Sequence, residues 1–152
     1  MRILTSYYGQ LAELKEKHPD YFLVSISGWI PDEIKEAVDS HNQSLAPSKE
    51  IYEEYEDTKN WRKYTQRFKD ERLSKVDMLE KLEQWEEKAN KIGKSTDTIV
   101  LMCYENIGDF CHRHIVAEDI EHEFKTDVKE FNYEDYTKVD YRLQSLSTDF
   151  LF

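Results

Sequence analysis

The chain has 152 residues, of which 35% are charged, 39% hydrophobic and 13% aromatic, and its formal net charge is −11 at pH 7. That length predicts one domain burying roughly two thirds of its unfolded surface, and the aromatic content exceeds what a disordered acidic chain carries. The acidity excludes a whole-surface nucleic-acid binder, the lack of any run near the ~20 apolar residues of a membrane span excludes a membrane partner, and a polar start without a signal-peptide core predicts a cytoplasmic protein.

"RILTS" (Arg2 to Ser6) reads as a first strand, and "GQLAELKEKHPD" spaces Leu11 and Leu14 for a short helix that Pro19 stops. "YFLVSISG" (Tyr21 to Gly28) is apolar and β-branched, with Gly28 and Pro31 closing it, which predicts a second strand buried on both faces and central in its sheet. Residues 31 to 50 lack a clear period and predict a loop with one helical turn over Asp32 to Asp39; Ser48 is placed to cap the helix after it. Ile51 and Tyr55, then Trp61, Tyr64 and Phe68, predict two helices broken near Thr58 to Asn60. Asp77 with Glu80 makes a capping-box-like start, after which Met78, Leu82, Trp85, Ala89 and Ile92 keep one apolar face until Gly93. "TDTIVLMCY" (Thr96 to Tyr104) is an apolar run of strand length. "CHRHIVAEDIEHEF" then restores a helical period with Val116, Ile120 and Phe124 on one face, and "VKEFNY" (Val128 to Tyr133) adds a last strand.

Strands alternating with helices predict a small three-layer α/β domain with a short, mostly parallel sheet flanked by helices. Residues 1–131 form that domain, and 132–152 form a C-terminal extension that docks through Tyr136, Tyr141, Leu143 and Phe150. In such sheets ligands bind beyond the carboxyl ends of the strands. Ser6, Tyr7, Ser27, Gly28 and the segment from Cys103 to His114 all fall there, which predicts one shared cleft.

"CYENIGDFCHRH" places both cysteines, two of the five histidines and an arginine within twelve residues. Cys103 would close a strand, while Cys111, His112, Arg113 and His114 would open a helix whose first N–H groups favour an anion. Gly108 would let the loop fold tightly, Arg113 would add a bidentate fork, and the same field would lower the pKa of Cys111. Two cysteines eight positions apart can pair, but in a reducing compartment free thiols are the expectation. The spacings Cys103 to Arg113 and Cys111 to Arg113 do not match the phosphatase loop of tyrosine phosphatases. Cys103, Cys111 and either His112 or His114 could supply three metal ligands. With no CxxC pair and no HExxH, and with His114, Glu118 and His122 read as a wet helix face, no metal is expected and no cofactor is named.

From Lys59 to Lys75 seven Lys/Arg stand against Asp70 and Glu71, whereas from Glu118 onward ten acids face four bases. Any nucleic-acid contact is therefore confined to the 59–75 basic segment. Trp61, Tyr64 and Phe68 read as its buried stripe; alternatively Tyr64 and Arg67 reach over the Cys-His-Arg loop as a stacking ring and a phosphate ligand.

"LMCYENIGDFCHRHIVAE" resembles the signature of the domain-of-unknown-function family 488, and "ILTSYYGQL", "VSISGWIP" and "WRKYTQRFKDERLSKVD" are similar to its shorter phage and bacterial members. The resemblance implies site roles for Cys103, Glu105, Cys111, His112 and Arg113, with Tyr64, Arg67, Ser25 and Ser27. It implies no agreed reaction. Members often carry an arginine where this chain has Gly28.

The expected function is binding of a phosphate-bearing or otherwise anionic small molecule, such as a nucleotide or nucleoside derivative, at the Cys-His-Arg loop. Any chemistry would use Cys103 or Cys111 as nucleophile and His112 as acid/base, with Glu105 orienting a partner. Arg113, His114, Ser6, Tyr7, Ser25, Ser27, Tyr64 and Arg67 are the expected ligand contacts. The alternative is a non-enzymatic sequestering or partner-binding protein, of the kind a phage encodes.

Overall fold

The computed structural model describes residues 1–95, 97–105 and 110–134. Among these residues five strands form one sheet: β1 (Arg2–Tyr7), β2 (Phe22–Ser25), β3 (Ser40–His41), β4 (Thr98–Cys103) and β5 (Lys129–Glu130), in the order β3-β2-β4-β1-β5 with every named pairing parallel. β2 and β4 are buried throughout and apolar except for Ser25 and Thr98 at their ends, as strands covered on both faces require. The central position expected of β2 belongs to β4; β2 lies beside it as an inner strand, covered at its outer edge by the two-residue strand β3, while β1 and β5 both lie beyond β4.

Among the described residues six α-helices cover the sheet: α1 (Leu11–Lys17), α2 (Asp32–Ala37), α3 (Lys49–Thr58), α4 (Trp61–Glu71), α5 (Met78–Lys91) and α6 (His112–Phe124). Three of them are capped as the sequence predicts or in the same way: Ser48, Asn60 and Asp77 accept from the backbone N–H three residues on. α3 ends at Lys59 in the left-handed region (φ 53°), which turns the chain directly into α4. One sheet face packs Leu4, Leu23, Val100 and Met102 against Leu11 and Leu14 of α1, with Ile34 and Ala37 of α2 at the margin. The other packs Ile3, Phe22, Val24, Ile99, Leu101 and Cys103 against Phe68, Trp85, Val116 and Ile120 from α4, α5 and α6. This is the predicted three-layer α/β architecture.

The strand order positions the site. From β1 the chain moves through β2 to β3 on one side; from β3 it crosses back to β4, between β2 and β1, and then to β5 beyond β1. The chain leaves β2 toward β3 and β4 toward β5, in opposite directions, so the winding reverses between the neighbours β2 and β4, and the crevice at the carboxyl ends of two such strands is where open α/β sheets bind ligands. Ser25 and Met102, near the ends of β2 and β4, are register partners at that point. The segment predicted to dock through Tyr136, Tyr141, Leu143 and Phe150, and the Gly108 turn, lie outside the described residues. Among the described residues no helix is long and apolar enough to cross a membrane.

Candidate functional site

β4 delivers Cys103 to the sheet edge, and Cys111, in extended conformation as the N-cap of α6, brings its side chain back to the same spot. The two sulfurs are bonded to each other, with Cα atoms 7.7 Å apart. This corrects the expectation of free thiols: the strand-to-helix turn converges both side chains in one buried place, a juxtaposition that spacing along the chain does not disclose.

His112 opens α6 and points into the core. Its Nε2–H donates to the Ile26 carbonyl at 2.6 Å, and Nδ1 faces Cys111 Sγ at 3.9 Å. An N–H committed to a carbonyl fixes the tautomer and leaves Nδ1 as the free lone pair. Burial, reinforced by the nearby Arg113 charge, lowers the His112 pKa from 6.5 to about 4. The imidazole is neutral near pH 7. Because the folded-state pKa lies below the unfolded one, its stabilising effect is complete above pH 6.5 and is lost as pH falls toward 4. We expect wild type to lose roughly 3 kcal/mol more than His112→Gln across that window, read by urea unfolding at pH 7.5, 5.5 and 4.5 with chelator present; parallel curves for the two proteins would refute the assignment.

Arg113 is fully buried, unlike the open anion fork expected of it. Its Nε and Nη2 donate to the two oxygens of Glu130 at 3.1 and 2.8 Å, while Nη1 donates to the Glu105 carbonyl at 2.7 Å and to Cys103 Sγ at 3.1 Å. Thr5 Oγ1 also donates to Glu130, its register partner across β1 and β5, and the guanidinium lies over the Tyr7 ring. Arg113 is thus a buried brace that fixes the Cys103 sulfur. Glu130 was absent from the expected residues; its sign in the sequence is an acid two positions after Val128, on the inward face of a short apolar strand.

Above this brace opens a cavity of about 560 Å³ walled by Trp29, Tyr52, Tyr64 and Tyr104, with Lys49, Arg72, Ser27, Gly28, Glu105 and His112 among its lining. That volume lies within the usual range for small-molecule sites. The structure therefore brings His112, Glu105, Tyr64 and Ser27 together in the cavity. Ser25 sits just behind, joined through the Tyr8 hydroxyl to Ser27 at 2.6 and 2.7 Å and to His41 Nδ1 at 3.1 Å. Burial raises the Tyr8 pKa above 10, so that hydroxyl stays neutral.

Other expected contacts lie elsewhere. Ser6 alternates with Leu4 on the opposite sheet face from Cys103, fully buried, and its Oγ has no partner among the described residues; the single cleft expected for Ser6, Ser27, Cys103 and Arg113 does not form. Tyr7 braces Arg113. Arg67 is bound to Glu54 and Glu71 on the flank of α4. His114 is buried, Glu118 is partly buried and His122 is exposed. Trp29, Lys49, Tyr52, Arg72 and Tyr104 were missed, because all five come from loops or helix ends that periodicity reads only as surface.

Arg72 is held by the Ala46 and Gln43 carbonyls through Nε and Nη2, at 2.8 and 2.9 Å. Its Nη1 makes no hydrogen bond among the described residues. With Lys49 it supplies the positive charge on this wall, where Gly28 leaves space: a Cβ there would meet only ordinary contacts, with Ala46 at 3.9 Å and the Pro47 carbonyl at 4.0 Å.

Among known proteins, the family model described as DUF488-N3a, active DUF488-N3 subclade, matches residues 10–124. No curated protein and no solved structure matches.

Proposed function

The chain belongs to the DUF488 family, and from that membership we propose that its cavity binds a planar anionic small molecule of the nucleotide or nucleoside-phosphate class, with His112 in the cavity wall and Cys103 and Cys111 buried beside it supplying the chemistry. The observation that carries this reading is the wall itself: four aromatic side chains around about 560 Å³, with Lys49 and Arg72 on the same lining. Aromatic faces stack on any base, at about 1–3 kcal/mol per base, and a guanidinium already anchored by two carbonyls loses little freedom when it meets a phosphate. Glu105, within the same cavity, accepts from a ring amine or sugar hydroxyl. The matched subclade's description as active supports a site that does chemistry as well as binding.

Bonded to one another, the two sulfurs cannot act as nucleophiles, while the aromatic and cationic walls remain. The oxidised chain is then a binder without thiol chemistry, which is how the sequestering alternative would operate.

The test is calorimetric titration of the reduced protein with adenosine monophosphate, adenosine and inorganic phosphate. We expect the monophosphate to bind more tightly than either fragment. Arg72→Ala should weaken it roughly ten- to a hundredfold, for loss of a charge-assisted hydrogen bond, and Arg62→Ala, on the basic helix, should leave it unchanged. Equal losses from both variants would move the site to the 59–75 surface and overturn the proposal.

A further inference from the structure

The geometry points to a use for the buried cluster beside the cavity: we propose that reduced Cys103 and Cys111, with Nδ1 of His112, bind one zinc-class divalent cation. One ligand atom from each residue lies within 4.8 Å of the other two, and all three residues are buried. The hydrogen-bond pattern is that of a metal ligand. A ligating imidazole donates its remote N–H to a carbonyl or carboxylate, which orients the ring, and His112 does this toward Ile26, leaving Nδ1 on the sulfur side.

Distances agree. Zinc–sulfur and zinc–nitrogen bonds of about 2.3 and 2.05 Å at a tetrahedral angle separate the two ligand atoms by roughly 3.6 Å, and Nδ1 already stands 3.9 Å from Cys111 Sγ. The two Cα atoms are 7.7 Å apart, beyond the 4.4–6.8 Å that disulfides usually span, so there is room between the cysteines for an ion. Charges agree as well. Two thiolates offset a divalent cation, and Arg113, already neutralised by Glu130, would contribute an N–H···S bond to Cys103 as an outer partner. Thiolates with imidazole select zinc over calcium or magnesium, and three protein ligands leave a fourth position free, as in catalytic zinc sites.

If the cavity binds a nucleotide-class ligand, the reading on which this step rests, the fourth position offers hydrolysis. Held by Cys103, Cys111 and His112, the ion would supply a Lewis acid for water; Glu105, on the same cavity lining as His112, would take that water's proton as its oxygen bonds to an electrophilic centre of the ligand, and would return it to the departing group as the bond to that group breaks. Water is the only co-reactant, and no electron is gained or lost.

The test uses the full chain, fully reduced and with both thiols confirmed free, titrated with Co²⁺ and then Zn²⁺. We expect one equivalent of cobalt with a thiolate charge-transfer band in the near ultraviolet and tetrahedral visible bands, displaced stoichiometrically by zinc. Cys103→Ser and Cys111→Ser should each roughly halve the charge-transfer band per bound cobalt and weaken uptake, the double substitution should abolish the band, and His112→Gln should weaken binding. Reduced wild type that takes up no cobalt or zinc overturns the proposal without reliance on any variant, as does uptake that none of the three substitutions changes. Titration of the same samples with adenosine monophosphate separates the two readings. Nucleotide binding without metal uptake removes only the cation site, and metal uptake without nucleotide binding removes only the pocket ligand.

Discussion

Arg113→Ala should lower the unfolding free energy by about 3–5 kcal/mol, the usual consequence of stranding one partner of a buried ion pair. Arg113 is completely buried and Glu130 is 3% exposed. Once the guanidinium is gone, the carboxylate keeps the Thr5 hydroxyl as a donor, in a place water does not reach. Most of the cost is therefore the uncompensated charge and not the attraction lost. A double variant, Arg113→Met with Glu130→Leu, should recover most of the loss, since a packed apolar pair of similar volume is often as stable as a buried ion pair. Denaturant unfolding of the three proteins decides the matter. A single variant within about 1 kcal/mol of wild type would mean that Arg113 is a solvated ligand contact after all.

Phe68→Ala should cost a similar amount, about 3–5 kcal/mol, through lost burial and the cavity left behind. Phe68 is fully buried and meets the His112 ring edge-on at 5.7 Å and Tyr64 at 6.1 Å. It is the core element that props both the cavity wall and the imidazole. Arg67→Ala, one residue away on the same helix, should leave stability close to that of wild type, because its ion pairs with Glu54 and Glu71 are partly exposed and screened by water. Equal effects from the two substitutions would show that α4 does not turn Phe68 inward and Arg67 outward.

The helices and the long strands were readable from the sequence because one face of each helix and both faces of each inner strand must be apolar, and the caps Ser48 and Asp77 sit where orphan N–H groups require them. β3 was not readable. Two residues at an edge, Ser40 and His41, carry no pattern, and pairing with β2 alone makes them a strand. The site divides in the same way. Cys103, Cys111, His112 and Glu105 announced themselves by reactive chemistry concentrated in one turn. Arg113 had the right place and the wrong role, because its partner Glu130 lies seventeen residues on, in a strand whose pairing with β1 is a tertiary fact. Ser6 failed through the period of two: a residue at a strand's carboxyl end can face either layer, and Ser6 shares a face with Leu4 instead of Cys103. The cavity wall was hidden because Trp29, Tyr52 and Tyr104 are exposed aromatics, which a linear reading cannot distinguish from scattered surface residues.

The most direct test of the central claim uses the chain's three tryptophans as position markers. Trp29 lines the cavity and is 73% exposed, Trp61 begins the basic helix α4, and Trp85 is buried with its Nε1–H donated to Asn42. In indole ¹H–¹⁵N spectra of the reduced protein titrated with adenosine monophosphate, the Trp29 signal should shift saturably while those of Trp61 and Trp85 stay in place. A saturable shift of Trp61 with Trp29 unmoved, or no shift at any indole, would contradict a nucleotide site in the cavity that Trp29 and His112 line.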